Sequence, residues 1–216
     1  PEGTPTTVYF GTTEGEQAYV AGFACLVGRP NAGKSTLTNA LVGTKVAITS
    51  SKPQTTRHTI RGIVSGEHSQ LILVDTPGLH KPRTLLGQRL NDLVRETLLE
   101  VDVIGFCLPA NQRIGPGDQF IARELAELRR GKRTPVVALA TKSDTVDKKR
   151  LAEHLIAIDQ LGDWSDIVPC SATRGDQVSV VGEVLASHLP PSPGPLYPDD
   201  QLTDEPDIVM IAELVR

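Results

Sequence analysis

The sequence predicts an α/β fold, a mostly parallel sheet with one antiparallel edge strand and helices on both faces. Short apolar runs alternate with segments of helical period along most of the chain. The runs are nearly continuous in Val, Ile, Leu and Ala, the pattern of strands covered on both faces. The first run leads into "GRPNAGKST", residues 28–36, a Gly-rich turn that opens a helical pattern.

The elements follow in order. "GFACLVG" reads as a strand, with a helix from Lys34 to about Leu41 behind the Gly-rich turn. "TIRGIVSGEHSQLILVD" reads as two strands around a Gly-Glu-His-Ser turn and supplies the antiparallel edge. Helical spacing runs from Leu85 to Leu99; strand "VIGFCLP", helix Gly117 to Arg130, strand "PVVALAT", helix Lys148 to Leu161, strand "DIVPCSA" and helix Gln177 to Leu189 complete the alternation.

This bounds the organisation. At 216 residues, 39% hydrophobic, the chain suits one globular domain with tails. Residues 1–20 are expected to be a disordered leader or expression remnant, and residues 21–189 the domain. Residues 190–206, opening "PPSPGPLYPDD", deny regular structure through their prolines and are expected to form a semi-rigid linker. Residues 207–216 look like the start of a further unit.

A net charge of −4 gives no general footprint for a polyanion. No apolar run approaches a membrane span and no signal segment is visible, so a cytoplasmic location is expected, with peripheral membrane contact left open. Cys25, Cys107 and Cys170 stand singly in apolar runs and are expected to be buried hydrophobes. His58, His68, His80, His154 and His188 lack metal-ligand spacing, so no transition metal is expected.

Four strand ends carry chemistry. Gly28, Gly33, Lys34 and Ser35 fit G-x-x-x-x-G-K-[ST]. Its glycines let backbone N–H groups face a phosphate, its lysine reaches the outer phosphates and its hydroxyl reaches Mg²⁺. "DTPG", Asp75 to Gly78, follows an apolar strand. There a carboxylate can hold a water of Mg²⁺ and Gly78 can offer its N–H to a γ-phosphate. "TKSD", Thr141 to Asp144, and "SAT", Ser171 to Thr173, end the last two strands.

In this order the motifs resemble those of translation-factor-like GTPases, and within them the Era-like ribosome-assembly GTPases of the TrmE-Era class. "GRPNAGKSTLTNALVG", "KPQTTRH", "DTPGLHKP", "LNDLV" and "LYPDDQLTDEP" carry the resemblance, from about Gly22 to the last residue. It implies the fold of a P-loop GTPase G domain. It also implies a GTP-hydrolysing switch that acts in small-subunit ribosome assembly and rRNA maturation, with GTP or GDP, Mg²⁺ and K⁺ as cofactors. Small-subunit ribosomal RNA and the 30S subunit would be reached through a K-homology RNA-binding domain, which residues 207–216 are expected to begin.

The resemblance assigns roles by position. Gly28, Arg29, Pro30, Asn31, Ala32, Gly33, Lys34, Ser35 and Thr36 would wrap the phosphates, with Ser35, Thr56 and Asp75 around Mg²⁺. Thr55 and Thr56 belong to the first switch, with Thr56 favoured as the Mg²⁺ residue; Asp75 and Gly78 form the second. Lys142 would lie along the base, Asp144 would accept the guanine N1 and N2 protons, and Ser171, Ala172 and Thr173 would support the base. Lys34, Thr56, Gly78 and Asn31 are the catalytic candidates, Asn31 as holder of K⁺ beneath "ITSSKPQ"; the alternative is that Asn31 only forms the turn.

Two positions depart from the pattern. Thr141 stands where N-K-x-D has asparagine, which is expected to weaken binding and leave base choice unchanged. Leu79 follows "DTPG" where a polar residue would orient water. A non-catalytic guanine-nucleotide-dependent interaction module and another GTPase of the same class therefore remain alternatives, while a small-molecule kinase has no use for "TKSD" and "SAT". His80, the "RRGKR" run at 129–133 and Trp164 are read as a loop residue, helix-end cations and a packing residue.

Overall fold

The structure, a computed structural model, describes residues 18–43, 60–74, 95–131 and 134–197. Thr55, Thr56, Asp75, Gly78, Leu79, His80, the start of the Leu85 helix, and residues 1–17 and 198–216 lie outside the described residues. So do the roles expected of them.

Six strands, β1 (Val20–Val27), β2 (Ile60–Gly66), β3 (Ser69–Val74), β4 (Val103–Pro109), β5 (Val136–Thr141) and β6 (Asp166–Pro169), form one sheet in the order β2-β3-β1-β4-β5-β6. Only β2 runs antiparallel, paired with β3 across the turn at Glu67 and His68. The other neighbours are parallel. Among the described residues five α-helical segments accompany them: α1 (Lys34–Val42), α2 (helical over the described residues 95–100), α3 (Pro116–Gly131), α4 (Lys148–Asp159) and α5 (Val178–Ser187).

Every residue of β4 and β5 is buried, which explains why these strands read as unbroken apolar runs. Alternate side chains feed two cores. Cys25, Val27, Ile104, Phe106, Ala138 and Ala140 meet Leu98 of α2, Ile121 and Leu125 of α3 and Ile158 of α4. Ala24, Leu26, Leu73, Val137 and Leu139 meet Leu37 of α1 and Val181 and Leu185 of α5 on the other face.

The three cysteines are buried and unbridged. Burial pushes the Cys107 thiol up to about 12 and that of Cys170 up to about 11, and Cys25 is raised further still. Such thiols pack rather than react. Trp164 packs against Phe106 with ring centroids 5.5 Å apart and donates its indole N–H to the Ile158 carbonyl at 2.7 Å. His188 Nε2 lies 2.7 Å from an Asp166 carboxylate oxygen, and His154 Nε2 3.3 Å from the Leu108 carbonyl oxygen.

Two boundaries differ from expectation. Val20, counted with the leader, opens β1 by pairing with Ser69. Residues 190–197, expected to open a semi-rigid linker, run back against the domain's own sheet. Pro191 bridges Val20, the Ala21 N–H donates to the Pro190 carbonyl, and the Ser192 N–H donates to the Tyr19 carbonyl. The fully buried Gln70 closes this strap: Oε1 accepts the N–H groups of Leu196 and Tyr197 at 2.8 and 2.9 Å, and Nε2 donates to the Tyr197 carbonyl at 2.9 Å. Prolines deny a ladder of their own, but their carbonyls still accept hydrogen bonds.

Candidate nucleotide-binding site

The parallel strands converge their C-terminal ends on one edge, where an open α/β sheet places its ligands. At the end of β1 the chain turns through Gly28, φ 149°, where a Cβ would stand 2.7 Å from the Cys107 carbonyl oxygen. Asn31 and Gly33 are left-handed, φ 62° and 95°. Asparagine and glycine are the residues that adopt this backbone at least cost.

The loop closes on itself. The Ala32 N–H donates to the Arg29 carbonyl at 3.2 Å, and Lys34 Nζ donates to the carbonyls of Gly28 and Arg29 at 2.8 and 3.0 Å. Its N-cap, Gly33, has no side chain to cap the first turn of α1. Backbone donors at such a helix start are the groups that bind phosphate. Ser35 and Thr36 are exposed in that turn.

The other motifs come to the same place. Thr141, at the end of β5 and 4% exposed, donates its hydroxyl to the Ala32 carbonyl at 2.6 Å. Lys142 is left-handed, φ 57°, and starts a short 3-10 turn that contains Asp144. The Thr145 hydroxyl fastens that turn to the Lys142 carbonyl at 2.6 Å. The Ser143 N–H donates to the Cys170 carbonyl at 3.1 Å, joining "TKSD" to "SAT". Ser171, 1% exposed, donates its N–H to the Asp176 carbonyl and accepts the Arg174 N–H on its hydroxyl at 3.2 Å. One cleft is then lined by Gly33 and Thr36, by Thr141 and Lys142, and by Ser171, Ala172 and Thr173.

Two larger, open clefts lie away from these motifs, one beside α3 and Trp164 and one beside α4. They contain none of the expected site residues. Arg29 keeps its backbone in the loop but sends its side chain to Asp118, a partner that no motif marks. Arg129 pairs with Asp163 across the end of α3, which gives one cation of "RRGKR" a structural role.

For magnesium, Ser35 is the candidate ligand within the described residues, where no cluster of three or more His, Cys, Asp or Glu could hold a metal ion. A hydroxyl beside a phosphate loop suits Mg²⁺, a hard ion that takes its remaining oxygens from phosphate and water.

A phosphate loop between β1 and α1, with base-side loops behind β5 and β6 at the same sheet edge, defines a P-loop nucleotide-binding protein of the G-domain kind. The family described as 50S ribosome-binding GTPase matches residues 23–142, more than half of the chain, and the chain belongs to that family.

Curated relatives agree. The chain is 66% identical over 206 residues to GTPase Era of Streptomyces coelicolor, covering 93% of this chain and 64% of the relative. It is 60% identical over 197 residues to GTPase Era of Mycolicibacterium smegmatis, covering 91% and 65%. It thus spans less than two thirds of these relatives' length. Among solved structures it resembles Era in complex with MgGDPNP and nucleotides 1506-1542 of 16S ribosomal RNA, with TM-score 0.75 and 33% identity over 91% of this chain and 66% of that one. It also resembles a point variant of Aquifex aeolicus Era bound to GDP and AlF4−, with TM-score 0.74 and 33% identity over 91% of this chain and 65% of that one. No helix among the described residues is long and apolar enough to cross a membrane.

Proposed function

We propose that the chain binds and hydrolyses GTP as the switch unit of a protein that acts in small ribosomal subunit assembly and rRNA maturation. The observation that carries this reading is one cleft lined by Gly33 and Thr36 of the phosphate loop, by Thr141 and Lys142, and by Ser171 to Thr173, with Asp144 in the turn that follows Lys142. The relatives' names and the RNA named with one solved relative support the ribosomal part.

Each residue has a task. The loop N–H groups and Lys34 neutralise the phosphates, where charge builds during phosphoryl transfer. Asp144 accepts the two guanine protons and Lys142 lies along the base. Ser35, Thr56 and Asp75 would hold Mg²⁺, which would supply positive charge against the charge that develops on the phosphates. Asn31 would hold a K⁺ ion in the role an arginine finger fills elsewhere, with Gly78 giving its N–H to the γ-phosphate. GTP then orders the segments around Thr56 and Gly78, and hydrolysis releases them.

Titration with fluorescent GDP against fluorescent ADP tests base choice. GDP is expected to bind and ADP to fail, because adenine offers Asp144 an acceptor where guanine offers a donor. Asp144→Asn is expected to favour xanthine nucleotides; unchanged GDP affinity in that variant overturns the assignment. Thr141 and Leu79 favour a second reading, a guanine-nucleotide-dependent module without turnover, and phosphate release from GTP decides between the two.

A further inference from the structure

Arg29 belongs to the phosphate loop by sequence, yet its side chain is anchored outside it. Nε donates to Asp118 Oδ1 at 2.7 Å, with the Asp118 side chain 1% and the Arg29 side chain 29% exposed. Asp118 Oδ2 accepts the Gly115 N–H at 2.9 Å. Both carboxylate oxygens are therefore engaged, one by the loop and one by the turn that opens α3. Gly117 presses on the same side chain, since a Cβ there would stand 2.8 Å from Arg29 Cδ.

The backbone of Arg29 carries the loop's own closure. Its carbonyl oxygen accepts from both Lys34 Nζ and the Ala32 N–H. Whatever fixes Arg29 therefore fixes the oxygen on which the lysine and the turn depend. A carboxylate this buried is tolerated only with partners, so the pair holds Arg29 as firmly as Arg29 holds Asp118.

We infer that Asp118 is a positioning residue for the nucleotide: acting through Arg29, it locks the phosphate loop against the first turn of α3 and sets where Lys34 meets the outer phosphates. The inference rests on the guanine-nucleotide reading above. A loop ordered in advance spares the ligand the cost of ordering it. Releasing it shortens the lifetime of the bound nucleotide.

The test is the rate of fluorescent GDP release in Mg²⁺, together with nucleotide-free thermal unfolding, for the 216-residue chain and for Asp118→Asn, Arg29→Gln and the double variant. Asparagine can still accept the Gly115 N–H, so the helix start is kept while the charged link is lost. Each single variant is expected to release GDP about tenfold faster, which corresponds to about 1.4 kcal/mol. The double variant is expected to be no faster than either single one, the signature of two residues acting as one unit. Earlier unfolding with wild-type GDP release would reduce Asp118 to a structural residue and overturn the inference, as would strictly additive effects. If Asp118→Asn does not fold, Arg29→Gln, altered at a partly exposed side chain, decides by its release rate alone. A wild-type chain that folds and binds no GDP overturns the nucleotide reading and this inference with it, a result the wild-type titration separates from the others.

Discussion

The hydroxyl of Thr141 donates to the carbonyl oxygen of Ala32 at 2.6 Å, joining the end of β5 to the phosphate loop across 109 positions of sequence. In the proposed guanine-nucleotide reading an asparagine here would bridge base and loop, and the shorter threonine makes the loop half of that bridge. Thr141→Val preserves the shape and removes the donor. It is expected to weaken GDP binding by about 1 kcal/mol, the worth of one neutral hydrogen bond, with guanine still preferred over adenine. Titration with both nucleotides checks it, and wild-type GDP affinity in Thr141→Val would contradict the bridging role.

Gln70 spends both ends of its amide on a strap more than a hundred residues away, accepting from Leu196 and Tyr197 and donating to Tyr197. Gln70→Ala removes these three hydrogen bonds at the sheet end opposite the nucleotide loops. A loss of about 1 kcal/mol in stability is expected, the net worth of a hydrogen bond whose backbone partner can turn to water instead. Faster proteolysis between Pro190 and Tyr197 should accompany it. Denaturant titration and timed digestion measure the two effects.

The sequence showed the sheet because burial on both faces writes itself as unbroken apolar runs, as in β4 and β5. It showed the phosphate loop because only certain residues tolerate the backbone at Gly28, Asn31 and Gly33. Other features left no local trace. β6 reads as far as Ala172 but ends at Pro169, because Ser171 turns its backbone to Asp176. The prolines after Leu189 describe what the strap cannot form, and not the amide of Gln70 that receives it. Arg29 reads as one more loop residue, since the carboxylate that holds it comes 89 positions later.

His154, on α4, is buried with its Nε2 facing the Leu108 carbonyl oxygen, and Asp118 and Arg150 are the charged groups that act on it. Burial lowers its pKa below the ordinary 6.5, outweighing the opposing effects of the Leu108 carbonyl and Asp118. Below that ordinary value the unfolded chain takes up a proton that the folded chain still refuses. The unfolded state then binds more protons, so the contribution of His154 to stability falls as pH drops below about 6.5 and is level above it. His154→Gln is expected to lose less stability than the wild type between about pH 7.5 and about pH 5.5. Parallel denaturant curves at the two values show whether the difference exists.

Asn31 has two possible duties, and its backbone separates them. At φ 62° it occupies the left-handed region, so it serves the turn whether or not its side chain serves an ion. Asn31→Ala confounds the two, because alanine strains this backbone and removes the carbonyl at once. Asn31→Gly keeps the turn at little cost and removes the side chain alone. If the proposed K⁺ site uses that carbonyl, GTP turnover should be faster in KCl than in NaCl at equal ionic strength for the wild type. The preference should vanish in Asn31→Gly while GDP affinity is retained. If glycine keeps the K⁺ preference and only alanine disturbs the protein, Asn31 is a turn former, and the positive charge beside the β- and γ-phosphates must come from Lys34 and Mg²⁺ or from a partner.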